Sequence, residues 1–201
     1  MRPGQICSTL LVAYALFTGT ARAQAEGEVD LALVLAVDIS NSMDPEEQEL
    51  QRNGFVDAFR SSLVQDAIKA GSLGRIAVVY MEWAGSRRQT IVVPWTIIEG
   101  PEGAAGFADR LAQAPIQHAP RTSISGAIDL GVRLLSDSKI EASRKTIDIS
   151  GDGANNEGRS VTQARDEALA RGITINGLPI MLNRARGYGD VENLDAYYRT
   201  V

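Results

Sequence analysis

Apolar runs of strand length alternate along this chain with stretches in which apolar residues recur every three or four positions. Residues 29–37 (VDLALVLAV) and 75–83 (RIAVVYMEW) are almost continuously apolar, which is typical of central parallel strands covered on both faces. Residues 90–95 follow the second run after a short polar link, so we expect a hairpin, and Pro94 confines that strand to a sheet edge. Two further strands are predicted over residues 145–150 and 173–180, and further helices over residues 103–114, 124–135, 161–171 and 190–198.

The start of the first helix carries several agreeing signals. Asp44 can cap it, Pro45 suits its first turn, and Glu46 complements the positive helix end. Strands that alternate with helices predict an α/β fold: a doubly wound, mostly parallel sheet with helices on both faces and one antiparallel edge strand. A length of 201 residues suits one such domain. One buried face of the first helix is predicted from apolar residues at helical spacing, namely Phe55, Val56, Phe59, Leu63 and Ala67.

The first 23 residues have the layout of a secretory signal peptide. Arg2 gives a positive start, residues 10–17 form a short apolar run, and Ala21 and Ala23 place small residues before the cleavage position. Eight apolar residues are too few to span a bilayer, so we expect cleavage and export of a bacterial protein to the periplasm or beyond. The only cysteine, Cys7, lies in this segment, which leaves the remaining chain with neither a disulfide nor a cysteine nucleophile.

The charge balance argues against several classes of partner. The net charge of the chain is −5, and loss of Arg2 and Arg22 with the signal peptide would lower it to about −7. An acidic surface does not suit nucleic acid or anionic membranes. No stretch after the signal peptide is apolar enough to insert into a membrane. A divalent cation is the partner that this charge favours.

Residues with oxygen donors gather at the predicted ends of two strands. Asp38 follows the first strand and Asp152 follows the fourth, and these strands are neighbours in the usual doubly wound order. Ser40 and Ser42 stand at alternate positions after Asp38, and Thr122 lies in the loop before a predicted helix. Because ligand sites in such sheets lie beyond the carboxyl ends of the strands, we expect these five residues to form one site.

Two carboxylates and three hydroxyls form an all-oxygen donor set, which is the kind that hard cations prefer. The sequence therefore predicts Mg²⁺ first, with Mn²⁺ or Ca²⁺ as alternatives. So few negative donors leave the cation incompletely neutralised. An open coordination position could then accept an acidic group from a protein partner, and the metal would bridge the two proteins.

Residues 38–42 (DISNS) match the D-x-S-x-S signature of the metal-ion-dependent adhesion site (MIDAS) in von Willebrand factor type A domains. Thr122 and Asp152 resemble the second-loop threonine and the third-loop aspartate of that family. The resemblance covers residues 28–201 and implies the fold of the family and an adhesion function rather than an enzymatic one. It also implies that the two serines and the threonine coordinate the ion, while the aspartates act directly or through water.

Two longer segments, residues 79–85 (VYMEWAG) and 148–156 (DISGDGANN), are similar to an uncharacterised subfamily of bacterial secreted proteins, DUF1194. The type A fold normally finishes with a sixth strand and a last helix, whereas this chain stops at Val201. We therefore expect the C-terminal strand and helix to be missing, either because the domain is truncated or because its sheet has lost an edge.

Several residues keep two interpretations at this stage. Thr122 could be an ordinary helix cap, in which case Ser123 could be the hydroxyl ligand. Asp148 lies in mid-strand, where a hydrogen-bonded core carboxylate is the better interpretation. Glu82 either lines the metal-binding surface or closes the core, and the sole histidine, His118, suits a surface loop.

The sequence contains neither a G-x-S-x-G nucleophile motif nor a phosphate-binding glycine loop, so we expect no enzyme. Two alternatives stay open: a metal-dependent phosphatase or hydrolase that uses Asp38, and a structural module whose ion only stabilises a loop. Phosphatases with an aspartyl nucleophile usually carry a second acid two residues later, where this chain has Ser40. We therefore expect an exported, divalent-cation-dependent protein-binding domain.

Overall fold

The computed structural model describes residues 27–181 and 193–201. Within them, the strands are β1 (Gly27–Asp38), β2 (Arg75–Trp83), β3 (Gln89–Glu99), β4 (Ile140–Gly151) and β5 (Ile173–Pro179). The helices are α1 (Pro45–Arg60), α2 (Ser62–Lys69), α3 (Gly100–Gln113), α4 (Ile124–Asp137), α5 (Val161–Leu169) and α6 (Leu194–Thr200). None of these described helices has the length and apolarity needed to cross a lipid bilayer. The predicted signal peptide, residues 1–23, and the start of the last predicted helix, residues 190–192, lie outside the described residues.

Strand β1 lies at the centre of a five-stranded sheet with the order β3-β2-β1-β4-β5. It pairs in parallel with β2 on one side and with β4 on the other, and β5 pairs in parallel with β4. Among the described strands only β3 is antiparallel, and it lies at a sheet edge and carries Pro94, as the sequence predicts. The prediction of a doubly wound, mostly parallel sheet is confirmed.

The helices cover the two faces of the sheet in separate layers. Helices α1, α2 and α3 pack on one face, around Val56 and Phe107, and α4, α5 and α6 pack on the other, around Ile128 and Ile147. Both layers leave β1 and β2 almost completely buried, which explains why their sequences are apolar on both faces. Because each buried aliphatic or aromatic side chain stabilises the fold by about 1.5–3 kcal/mol, these layers hold the strands in register.

The apolar face predicted over residues 55–67 is wrong in its second half. Helix α1 ends before Ser61, whose backbone is extended and whose hydroxyl accepts a hydrogen bond from the Val64 amide at 3.3 Å, so that a separate helix, α2, begins there. Leu63 is consequently 80% exposed, and Ala67 is exposed as well. The capping serine overrides the apolar periodicity because it satisfies an amide that a helix start would otherwise leave without a partner.

The start of α1 agrees with the sequence. Asp44 Oδ1 accepts a hydrogen bond from the Glu47 amide at 2.9 Å, and Glu47 Oε2 accepts one from the Asp44 amide at 2.8 Å. A reciprocal cap of this kind stabilises a helix by about 1 kcal/mol. The loop from Asp38 to Ser42 is therefore held between a strand end and a capped helix start.

A buried ion pair joins α1 to β2. Arg52 and Glu82 are 5% and 2% exposed, and the guanidinium donates to the carboxylate. Arg52 also donates to the carbonyl oxygens of Leu111 at 3.1 Å and Ala114 at 3.0 Å, at the end of α3. Burial raises the pKa of Glu82, whereas the adjacent Arg52 lowers it. Glu82 thus closes the core, which decides between its two interpretations.

Candidate metal centre

The carboxyl ends of β1 and β4 meet at one edge of the sheet. The two strands run parallel with Val37 beside Ser150, so Asp38, the last residue of β1, lies next to Gly151. A methyl group on Gly151 would lie 2.8 Å from Asp38 Oδ2, so only glycine leaves room there. Asp152 follows directly. The prediction that the strands before the two aspartates are neighbours is confirmed.

The two serines of the first loop link these carboxylates. The Ser40 amide donates to Asp38 Oδ1 at 2.7 Å, and the hydroxyl oxygens of Ser40 and Ser42 are 2.7 Å apart. Ser42 Oγ in turn donates to Asp152 Oδ1 at 2.5 Å. A parallel bridge between Ser40 and Ala119 fixes this loop to the segment that precedes α4. Four of the predicted ligands therefore form one continuous hydrogen-bonded cluster.

Thr122 lies in the loop before α4, beside the loop that follows β4. Its amide donates to Asn156 Oδ1 at 2.9 Å, and its carbonyl oxygen accepts from the Asn156 amide at 2.8 Å. Thr122 Oγ1 is 3.7 Å from the position that a Cβ on Gly153 would occupy. Because Gly153 directly follows Asp152, the fifth predicted residue lies at the same edge of the sheet.

The cap of α4 is Ser123 rather than Thr122. Ser123 Oγ accepts a hydrogen bond from the Gly126 amide at 3.2 Å, and it also lies 3.5 Å from Ser125 Oγ. The helix start therefore uses the hydroxyl of Ser123. This finding favours Thr122 over Ser123 as the third hydroxyl of the candidate donor set.

Asp38 is the most deeply buried of the candidate ligands. It has no exposed surface, and its Oδ2 has no hydrogen-bond partner among the described residues. Burial raises the pKa of Asp38 to about 7; the Ser40 amide lowers this pKa, and the charge of Asp152 raises it. A buried ionised carboxylate is costly unless a positive charge or hydrogen bonds compensate for the loss of water. An unpartnered carboxylate oxygen beside a second carboxylate thus fits a cation.

The donor set as a whole suits a hard divalent cation. It contains two carboxylates and three hydroxyls, and ions such as Mg²⁺ take oxygen ligands. No cluster of three or more His, Cys, Asp or Glu residues occurs in the parts of the chain that the structure describes, so a metal site here depends on hydroxyls. The residues that fit the predicted ion, and whose role as ligands stays a prediction, are Asp38, Ser40, Ser42, Thr122 and Asp152.

Two other polar residues singled out in the sequence lie outside this cluster. Asp148 accepts a hydrogen bond from Asn176 Nδ2 at 2.7 Å, and its half-buried position raises its pKa. It is therefore a satisfied structural carboxylate, as its position in mid-strand favours. His118 is exposed in the loop before α4.

Sequence reasoning missed the residues that join the loops of the site. Asn155 Oδ1 accepts a hydrogen bond from the Ser125 amide at 3.0 Å, while Asn156 binds both backbone groups of Thr122. The Asn155 amide donates to Tyr197 Oη at 3.0 Å. Two adjacent asparagines in a glycine-rich loop were the available signal, because asparagine side chains imitate backbone groups in turns. No comparable signal marks the tyrosine.

Arg159 anchors the far end of the loop that carries Asp152. Its guanidinium donates to both carboxylate oxygens of Asp129 on α4, at 3.1 and 2.6 Å. It also donates to both oxygens of Glu167 on α5, at 2.8 and 2.7 Å. The loop between β4 and α5 is thus tied at its start to the serine loop and at its end to two helices.

Residues 28–201 match the protein family described as Protein of unknown function (DUF1194). The chain belongs to this family. The match runs from β1 through α6, so all five candidate ligands lie inside the DUF1194 domain. A search of curated proteins finds no match to the chain.

Solved structures similar to this DUF1194 domain include von Willebrand factor type A proteins, and they show that it has a type A-like fold. The pilus adhesin SpaC from Lactobacillus rhamnosus GG has a TM-score of 0.59 and 13% identity, over 88% of this chain and 27% of that one. A von Willebrand factor type A protein from Catenulispora acidiphila has a TM-score of 0.52 and 14% identity, over 74% of this chain and 33% of that one. The DUF1194 chain thus spans a third or less of these two proteins.

Proximal thread matrix protein 1 from the mussel byssus is a third structural neighbour. Its TM-score is 0.58 at 17% identity, over 80% of this chain and 40% of that one. A second structure of the mussel protein, with a TM-score of 0.50 and 15% identity over 74% of this chain and 35% of that one, has a zinc-occupied MIDAS motif. In that protein, therefore, this fold holds a divalent metal.

Proposed function

We propose that this chain is an exported, divalent-cation-dependent protein-binding domain rather than an enzyme. Mg²⁺ is the expected ion, with Mn²⁺ or Ca²⁺ as alternatives, and its ligands are Asp38, Ser40, Ser42, Thr122 and Asp152. A bound divalent cation supplies an open coordination position for a carboxylate of a protein partner. The observation that carries the proposal is that four of these residues form one hydrogen-bonded cluster, in which Asp38 keeps one carboxylate oxygen without a partner, while Thr122 lies at the same edge of the sheet.

The burial of Asp38 favours binding over phosphoryl transfer. A nucleophile has to reach the substrate, whereas Asp38 has no exposed surface. Its Oδ1 is already held by the Ser40 amide, and Ser40 itself occupies the place where aspartyl phosphatases usually carry the second acid. A buried carboxylate in this position suits the support of a cation better than attack on a substrate.

Basic side chains beside the site suit an acidic partner. Arg121 directly precedes Thr122, and it is exposed, as are Arg87 and Arg88 in the turn between β2 and β3. The two loops touch, because a methyl group on Gly85 in that turn would lie 3.2 Å from Arg121 Cβ. The three arginines form no ion pair with any described residue. One carboxylate lies among them, because Glu157 Oε2 accepts a hydrogen bond from the Ser86 amide at 2.7 Å. Three arginines against this one acid leave a local positive charge in a chain of net charge −5, which favours partners with carboxylates.

The backbone at Arg121 supports the same interpretation. Its φ is 75°, in the left-handed region that residues with a side chain rarely adopt, and such strain costs of order 1 kcal/mol. The hydrogen bonds between Thr122 and Asn156 hold the chain in this turn. The strained turn allows Thr122 to be buried while the side chain of the preceding arginine remains in solvent.

Thermal melts with Mg²⁺, Mn²⁺, Ca²⁺ or chelator test the metal site. An ion at ~100 times its dissociation constant stabilises a protein by about 2.7 kcal/mol, a rise of several degrees at this size. Asp38→Ala should abolish the rise. Asp148→Asn, which alters a β4 carboxylate outside the site, should retain it. A protein that melts cooperatively at one temperature with every cation would contradict the metal site.

Fluorescence anisotropy of a labelled hexaglutamate peptide tests the class of partner, with hexaglutamine as the neutral comparison. We expect hexaglutamate to bind in Mg²⁺ and to dissociate in EDTA. Arg121→Glu should weaken binding, because it replaces an attractive charge beside the site by a repulsive one. Arg144→Glu is the matched control, because Arg144 is exposed on β4 well before the carboxyl end of the strand. Equal binding in Mg²⁺ and EDTA would argue against a metal bridge.

A further inference from the structure

The side chain of Tyr198 runs from α6 to the candidate metal centre through a slot that two glycines leave open. Tyr198 is 8% exposed and packs in the apolar layer formed with α4 and α5. A methyl group on Gly177 of β5 would lie 2.7 Å from its Cδ1, and one on Gly151 would lie 2.7 Å from its hydroxyl oxygen. Any side chain at either glycine would therefore displace the tyrosine ring or its hydroxyl.

The hydroxyl of Tyr198 and the carboxylate of Asp38 face the same point. The Cβ position on Gly151 that lies 2.7 Å from Tyr198 Oη also lies 2.8 Å from Asp38 Oδ2. Both atoms are buried, and neither has a hydrogen-bond partner among residues 27–181 and 193–201. The tyrosine hydroxyl can donate a hydrogen bond and the carboxylate oxygen can accept one. A buried polar atom without a partner costs free energy.

We propose that Tyr198 is a positioning residue of the metal centre. Its hydroxyl donates to Asp38 Oδ2 through one bridging water, because the two atoms do not bond each other directly, while the Ser40 amide holds Oδ1. Each carboxylate oxygen accepts two hydrogen bonds, so both oxygens keep a lone pair for the cation or for the water bound to it. The inference rests on the proposed metal site, and it adds a residue that belongs to none of the loops of that site.

The neighbouring tyrosine makes a similar connection to another loop. Tyr197 Oη accepts a hydrogen bond from the amide of Asn155, which lies in the loop that starts at Asp152. The rings of Tyr197 and Tyr198 pack edge to face with their centroids 6.1 Å apart. Successive residues of α6 thus support the two loops that carry the aspartates. The docking of α6 and the binding of a cation should therefore favour each other.

Tyr198→Phe tests the proposal, because it keeps the ring in the slot and removes only the hydroxyl. The affinity for Mn²⁺, measured by electron paramagnetic resonance of the free ion, should fall about tenfold, as expected for loss of a hydrogen bond to a charged group. Tyr80→Phe is the matched control: it removes a buried hydroxyl from the opposite face of the sheet and should leave the affinity unchanged. An unaltered Mn²⁺ affinity in Tyr198→Phe overturns the proposal, because a merely structural role lowers only the melting temperature.

A double-mutant cycle on the metal-free protein separates this inference from the proposed function. Tyr198→Phe and Asp38→Asn, alone and together, are compared by urea unfolding in EDTA. We expect non-additive effects, because each substitution removes one partner of the same contact. Additive effects would overturn the positioning role even in a protein that binds metal. If the effects are non-additive but the wild-type protein binds no cation, the proposed metal function is wrong. The contact between Tyr198 and Asp38 would still stand.

Discussion

The metal-free protein should lose stability as the pH rises from about 4 to about 7, because of Asp38. Burial raises the pKa of this carboxyl from 3.8 to about 7 in the folded protein. Between these two values the folded state holds a proton that the unfolded chain has already released. The unfolded state therefore becomes favoured as the pH rises, and the loss is complete above the folded pKa. A carboxylate in a salt bridge has the opposite pH dependence, because its lowered pKa makes the protein more stable as the pH rises.

The size of the effect follows from the shift. One pKa unit corresponds to about 1.4 kcal/mol, so a change from 3.8 to about 7 amounts to roughly 4 kcal/mol. Domains are stable by about 5–15 kcal/mol, so the loss is a substantial fraction of the total. A cation competes with the same proton for Asp38. The stabilisation by Mg²⁺ should therefore grow as the pH approaches 7.

Urea unfolding at pH 5, 6, 7 and 8 in metal-free buffer measures the effect. Asp38→Asn is the reference, because the amide matches the carboxyl in size and does not ionise. The free energy of unfolding of the wild type should fall relative to the variant across this range. Asp148, whose pKa is also raised by burial, is present in both proteins and cancels. A constant difference between the two proteins at all four pH values would refute the reasoning from burial.

Three further substitutions have expected effects that urea unfolding can measure. Gly177→Ala should destabilise the protein by ~1–3 kcal/mol, because the methyl group would lie 2.7 Å from Tyr198 Cδ1; an unchanged stability would show that α6 does not need the slot. Gly54→Ala, in α1 with no atom within 4 Å of the new methyl group, should instead stabilise by ~0.5–1 kcal/mol. Arg52→Met should cost ~3–5 kcal/mol by leaving Glu82 buried without its counter-charge, and Glu82→Gln in the same chain should recover part of it; equal losses would contradict the ion pair as the cause.

The elements whose signals are local could be predicted from the sequence. Strand β2 is Arg75–Trp83 both in the prediction and in the structure, because a strand buried on both faces must be apolar at nearly every position. The cap at Asp44 uses a hydrogen bond between residues three apart, so a short pattern is enough to find it. The signature in residues 38–42 is equally local.

Element limits that depend on a partner strand could not be predicted. Strand β4 begins at Ile140, ahead of the predicted start at residue 145, because its polar first residues pair with the first residues of β1. Strand β3 continues to Glu99, which pairs with Arg75. Polar residues in an edge or half-exposed strand resemble a loop in sequence, and only the neighbouring strand shows that their backbone groups are paired.

The candidate ligands were predictable as a set because each stands at the end of an element, and the parallel sheet brings those ends to one edge. Local pattern by itself predicted the sheet and its antiparallel edge, and it selected these five residues as candidates. Only the tertiary structure decided that Ser123 takes the helix cap, that Asn156 binds the backbone of Thr122, and that the Tyr198 hydroxyl and the Asp38 carboxylate lie beside the same glycine, Gly151. The periodicity of a segment indicates its secondary structure and which of its faces is buried. Contacts between distant residues depend on how helices and loops pack on the sheet, which no local pattern encodes.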